Sequence, residues 1–85
     1  MLKKLVELKF NAASTGIYCL ADAIEIKKQN KFIKMVELYK IIGEKYKIKW
    51  TCIERKIRHC IETSNNEYNQ MKNVEVITIL SILFD

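Results

Sequence analysis

Proline is absent from this chain and glycine occurs only at positions 16 and 43, so the tight turns of an all-β fold have almost no residues to build them. Eighty-five residues make one small domain with a modest core, too little to enclose a deep catalytic pocket. Long apolar runs are missing too. The most apolar stretch, Val74 to Phe84, is too short to span a bilayer, and the opening LKKLVELKF lacks the apolar core and small-residue cleavage site of a secretory signal. Cys19, Cys52 and Cys60 are odd in number and sit at helical, apolar or half-apolar positions, which reads as reduced thiols of a cytoplasmic protein. Cys52, His59 and Cys60 point in diverging directions with no second pair to complete a zinc site, so neither metal nor cofactor is expected. No Ser/His/Asp or Cys/His pairing and no Gly-rich phosphate loop is present, which argues against an enzyme and a small-molecule substrate.

What remains is helical periodicity and an uneven charge. The formal charge of +5 is concentrated in the middle: Lys27 to His59 holds nine Lys and two Arg against Glu37, Glu44 and Glu54, a local balance of 11 − 3 = +8. Such a basic middle third is the electrostatic footprint of phosphate binding, although lysine also serves simply to keep a chain rich in Ile and Asn soluble. The spacing predicts an all-α bundle of about five helices: Leu2 to Phe10, Gly16 to about Gln29, Phe32 to Tyr46, Trp50 to Thr63 and Val74 to Phe84. Ser14 or Thr15 caps the second, Asn30 stops it, Thr51 and Glu54 match a capping box, and Asn73 caps the last. Thr63 to Lys72 reads as an exposed polar connection. In the last segment Glu75, Thr78, Ser81 and Asp85 form one polar stripe and the rest is apolar, so the helix either enters the core or lies in a dimer interface.

The stretch LYKIIGEKYKIKWTCIERKIRHCIE, Leu38 to Glu62, has the layout of a helix-turn-helix. Leu38, Ile41, Ile42 and Tyr46 form the apolar stripe of its first helix, Gly43 lets the second helix approach, and Ile48 anchors the turn Lys47-Ile48-Lys49. At about 100° per residue, Trp50, Ile53, Ile57, Cys60 and Ile61 share the inner face of the second helix. Thr51, Cys52, Arg55, Arg58, His59 and Glu62 lie opposite, a stripe that a solvated helix would also show. Read as a recognition helix, it offers Arg55 and Arg58 for bidentate contact with guanine or for phosphate. Glu54 either accepts from cytosine or holds Arg58 at i+4, and His59 either meets phosphate or is merely solvated. Lys45, Lys47, Lys49 and Lys56 flank the motif as sequence-independent contacts, and Trp50 packs between the two helices.

Two blocks resemble a known family. GIYCLADAI, Gly16 to Ile24, is similar to a G-x-x-Y-L-x-x-A-I stretch, and IERKIRHCIE, Ile53 to Glu62, to a V-E-R-A-I-R-H-A-I-E recognition helix, both of the C-terminal DNA-binding effector domain of stage-zero sporulation protein A. The resemblance runs from about Leu5 to Glu62. It implies a transcription regulator that binds double-stranded DNA, with Glu54, Arg55, Arg58 and His59 where the family approaches bases or phosphates. The family has Arg at Cys52, a small residue at Trp50 and Thr at Lys49, so the DNA target is expected to differ. The family's longer polar loop after the recognition helix is missing, and nothing here resembles the receiver that precedes its effector domain, which implies a stand-alone effector domain. The rival expectation is an interaction module that forms a homodimer, or a heterodimer with a homologous full-length regulator, and titrates it.

Overall fold

The computed structural model describes residues 1–85 and contains five α-helices and no strand. They are α1 (Leu2–Glu7), α2 (Gly16–Gln29), α3 (Met35–Tyr46), α4 (Trp50–Glu62) and α5 (Asn73–Leu83). The all-α bundle expected from the periodicity is the fold observed. No helix is long and apolar enough to cross a membrane.

α2 is the hub, packing against α3, α4 and α5, because its apolar residues occupy most of its girth: Ile17, Cys19, Leu20, Ala21, Ala23 and Ile24 are all buried. Its first residue lies against the backbone of α4. A Cβ on Gly16 would overlap the Lys56 carbonyl oxygen and crowd the Cys60 side chain at 3.2 Å, so only glycine lets the two helices meet there. Leu38 and Ile42 of α3, Ile53, Ile57, Cys60 and Ile61 of α4, and Val76, Ile77 and Leu80 of α5 close one core around it. Each fully buried Ile or Leu contributes about 1.5–3 kcal/mol.

Several local expectations are corrected. α1 stops at Glu7 rather than Phe10, because Lys9 turns left-handed at φ 69° and directs Phe10 into the core. α3 starts at Met35, leaving Phe32 outside the helix and 94% exposed. On α3 the buried partners of Leu38 and Ile42 are Tyr39 and Gly43, not Ile41 and Tyr46, which face solvent. The Thr51 to Glu54 capping box does not form, since α4 begins at Trp50 and the Glu54 carboxylate is taken by Arg58.

The polar connection after α4 is not simply exposed. Tyr68 folds inward and stacks on Phe10 with ring centroids 5.8 Å apart, and Ser64 is buried with its hydroxyl donating to Ile61 O at 2.6 Å. Asn65 N–H donates to Lys9 O and Asn66 Nδ2 to Leu8 O, so this segment is stapled to the turn after α1. Asn73 does not cap α5 either. Its Nδ2 donates to Glu54 O at 3.0 Å and to Tyr39 Oη at 3.2 Å, latching α5 to both helices of the motif, while Glu75 Oε1 accepts from the Lys72 N–H. The polar stripe of α5 is split as well: Ser81 is buried, with its hydroxyl on Thr78 O, whereas Ile82 and Leu83 are 69% and 60% exposed. The helix thus serves the core with Val76, Ile77 and Leu80 and still presents apolar surface.

Burial also sets an alkaline limit. The Cys60 thiol is pushed up to about 11 by desolvation, and Cys19, Tyr39, Tyr46 and Tyr68 are raised by the same cause. Lys45 is raised by its hydrogen bond to Asp22. For every one of these groups the folded value exceeds the unfolded one, so the stabilisation is complete below the unfolded value and fades as pH rises through the folded value. For Cys60 that window runs from 9.0 to about 11. Urea midpoints are expected to fall steadily above pH 9, and Cys60→Ala to flatten that fall; a midpoint constant from pH 8 to about pH 11 would rule the effect out.

Candidate nucleic-acid interface

The turn between α3 and α4 is held by backbone and by the absence of a side chain. Lys47 caps α3 in the left-handed region at φ 59°, and the Ile48 N–H donates to Gly43 O at 3.0 Å. A Cβ on Gly43 would lie 2.7 Å from Ile48 O, so glycine is needed where the turn folds back on α3, as its position in the sequence suggests. Ile48 itself is no buried anchor: it is 37% exposed. The anchoring falls instead to Trp50, which stacks on Tyr39 with centroids 6.3 Å apart and planes 4° from parallel. Trp50 therefore does pack between the two helices, and Asn73 Nδ2 donates to the Tyr39 hydroxyl.

With its inner face fixed by Ile53, Ile57, Cys60 and Ile61, all fully buried, α4 must present its opposite face to solvent. Thr51, Arg55, Arg58, His59 and Glu62 are exposed. At about 100° per residue Arg55 and His59 stand nearly opposite Ile57, whereas Arg58 lies about a quarter turn from it, at the flank facing the start of α5. Arg58 Nη1 is held there by Glu54 Oε1 at 3.0 Å. An exposed i,i+4 pair of this kind adds only about 0.3–0.5 kcal/mol to stability, so its consequence is positional: it fixes one guanidinium and leaves Arg55 free. The single stripe of three is in fact a central pair with a tethered neighbour.

The lysines divide in the same way. Lys47 and Lys49 bracket the turn, exposed, and take part in none of the three ion pairs of the molecule. Lys45 is tied to Asp22 at 3.0 Å, and Tyr46 Oη donates to the same carboxylate at 2.6 Å, bracing α3 against α2. Lys56 is half-buried and donates to Thr15 Oγ1 at 3.1 Å, so it clamps α4 to the start of α2 rather than standing free beside the motif. Cys52 is half-exposed on the outer face near the turn. The positive surface at the beginning of α4 also includes Lys40, which sequence reasoning missed; it precedes Gly43 by three and Lys47 by seven, a helical spacing that places it on the side of the turn.

The sequence model of one family, sporulation initiation factor Spo0A C terminal, matches residues 1–82. The chain belongs to that family. The match reaches beyond the two blocks that carry the resemblance and takes in α5, so the last helix is part of the family domain. At the level of the family this is a DNA-binding regulatory domain of sporulation, not an enzyme. No curated protein and no solved structure matches the chain significantly. Within the family pattern, Gly16, Leu20, Ala23 and Ile24 of the first block and Ile53, Ile57 and Ile61 of the second are buried, while the exposed members of the second are Arg55, Arg58, His59 and Glu62.

Proposed function

We propose that residues 1–85 form one helix-turn-helix domain that binds double-stranded DNA in a sequence-specific manner and regulates transcription, with α4 in the major groove. The observation that carries this reading is the exposed Arg55 and His59 on a helix whose opposite face is wholly buried, beside the unpaired Lys47 and Lys49. Arg55, central and free, makes the bidentate contact to guanine O6 and N7. Arg58, held by Glu54, addresses the edge of the groove, and Thr51, His59, Lys47 and Lys49 meet phosphates. Lys56 acts from within, by keeping α4 on α2.

Fluorescence anisotropy of a labelled duplex, titrated at two salt concentrations, tests this. Binding should weaken steeply with salt, and Lys47→Ala should weaken it for all sequences alike. Absence of duplex binding at low salt would remove the proposal.

A second reading is favoured by the exposure of Ile82 and Leu83: α5 pairs with a second copy or with a homologous full-length regulator, which the chain then titrates. Sedimentation of the chain without DNA decides it. The reading expects a dimer that Ile82→Glu dissociates, and a monomer at high protein concentration excludes self-pairing.

A further inference from the structure

Beside the first residues of α4 the two helices of the motif enclose a shallow groove of about 620 Å³. Lys40 comes from α3, Lys47 and Lys49 from the turn, and Trp50 and Cys52 from α4; Glu44 is the one acid on its wall, leaving a net charge of +2. None of the three lysines is engaged in an ion pair. Trp50 contributes the aromatic surface, and because its ring is stacked on Tyr39, which Asn73 holds in turn, the indole is fixed before any ligand arrives.

The groove adjoins the outer face of α4 at Cys52 and extends from there to the turn and α3. Trp50 and Arg55 are about 7.5 Å apart along the helix axis, at 1.5 Å per residue. The lysines lie toward the N-terminal end of the helix that carries Arg55, so a duplex that runs on from Arg55 in that direction would bring its backbone to them. The chemistry suits that occupant: three ammonium groups without an ion-pair partner offer point charges to phosphates, and the stacked indole on the same wall offers apolar contact to a deoxyribose. An open trough with spread charges suits an extended polyanion better than a small anion, which would need convergent donors and enclosure.

We propose that this groove is a second DNA contact, holding the sugar–phosphate backbone of the duplex flank with Lys40, Lys47, Lys49 and Trp50. It rests on the DNA-binding reading above and extends it to Lys40 and Trp50. The groove gives the domain a footprint longer than the recognition helix alone.

Trp50 is the only tryptophan of the chain, so its emission reports on the groove directly. The full chain is titrated with a duplex of about two helical turns, roughly 20 base pairs, with the same duplex carrying neutral methylphosphonates on the flank, and with a single strand of equal length. Binding is followed by anisotropy and by Trp50 emission. Trp50 emission is expected to shift with the unmodified duplex and not with the neutralised one. Lys40→Ala, an exposed helical position where alanine is well tolerated, should lower affinity several-fold and reduce the slope of log K against log salt by about 0.9, without altering sequence preference. An unchanged slope in Lys40→Ala overturns the proposal while the DNA-binding reading stands, and an equal Trp50 shift with the single strand overturns the duplex flank as occupant. If anisotropy shows no binding of any duplex, the DNA-binding reading itself fails, and the groove contact with it.

Discussion

Gly16→Ala is expected to cost this protein a large part of its stability, about 3 kcal/mol or more out of the 5–15 kcal/mol typical of a folded domain. Two effects oppose each other. Alanine is the better helix former by about 1 kcal/mol, and Gly16 opens α2 at an ordinary backbone conformation, so propensity alone would favour the substitution. Sterics decide the other way. The new methyl would overlap the Lys56 carbonyl oxygen, which is backbone and cannot rotate aside, so α2 and α4 must separate along a shared buried seam. That separation would also strain the Lys56 to Thr15 hydrogen bond. A urea midpoint lowered by a third or more, with helical circular dichroism retained before the transition, is the expected outcome. Gly43→Ala should also destabilise but cost less, because its Cβ would lie 2.7 Å from Ile48 O, a milder overlap than the one a Cβ on Gly16 makes with Lys56 O. A Gly16→Ala variant as stable as the parent would mean that the close approach of the two helices has no energetic weight.

Arg55→Ala is expected to produce the largest functional change, a loss of about 1–3 kcal/mol of discrimination between the preferred base pair and its alternatives, or roughly 5- to 150-fold. Arg55 sits at the centre of the exposed face and has no acid partner within ion-pair distance. Alanine is well tolerated in a helix, so a thermal midpoint near that of the parent should accompany the loss of preference. Arg58→Ala should act more weakly on preference, since Glu54 already holds that guanidinium at the flank. Competition between a preferred duplex and one changed at a single base pair separates the two variants. Equal preference in parent and Arg55→Ala would move base reading elsewhere.

Much of the fold was legible because its signals are local and periodic. The spacing of Ile53, Ile57, Cys60 and Ile61 fixes the inner face of α4, and Gly43 marks the turn, without reference to any distant residue. α2 could be bounded at both ends from Ser14-Thr15-Gly16 and Asn30. The errors fall where tertiary contacts override local pattern. Ile41 belongs to an apolar stripe by spacing, yet α3 meets the core with Tyr39 instead, because Trp50 stacks on that ring and Asn73 reaches its hydroxyl. Asn73 reads as a cap, but α5 docks so that its amide serves Glu54 and Tyr39 across two other helices. The segment after α4 reads as solvent-exposed on composition, although Tyr68 finds Phe10 and Asn66 finds the backbone of Leu8, partners more than fifty residues away in sequence.

The candidate interface was legible in kind and less so in detail. Arg55, Arg58 and His59 stand out by helical spacing and by likeness to the family's recognition helix, and all three are exposed. Spacing anticipates the Glu54–Arg58 pair at i+4, which the structure shows, but does not reveal that Lys56 turns toward Thr15, since that depends on how α2 abuts α4. Lys40 is missed because it lies between the two resembling blocks and on the first helix of the motif. Its relation to the turn appears only once Gly43 brings α3 and α4 together.

The most direct test of DNA reading by α4 is selection of bound sequences from a pool of random duplexes, run in parallel with the parent and with Arg55→Ala. The parent should converge on a motif containing a guanine, and Arg55→Ala should still retain duplex DNA while losing its preference at that guanine. A parent that retains no duplex at low salt, or an Arg55→Ala variant that selects the identical motif, would contradict base reading by the outer face of α4.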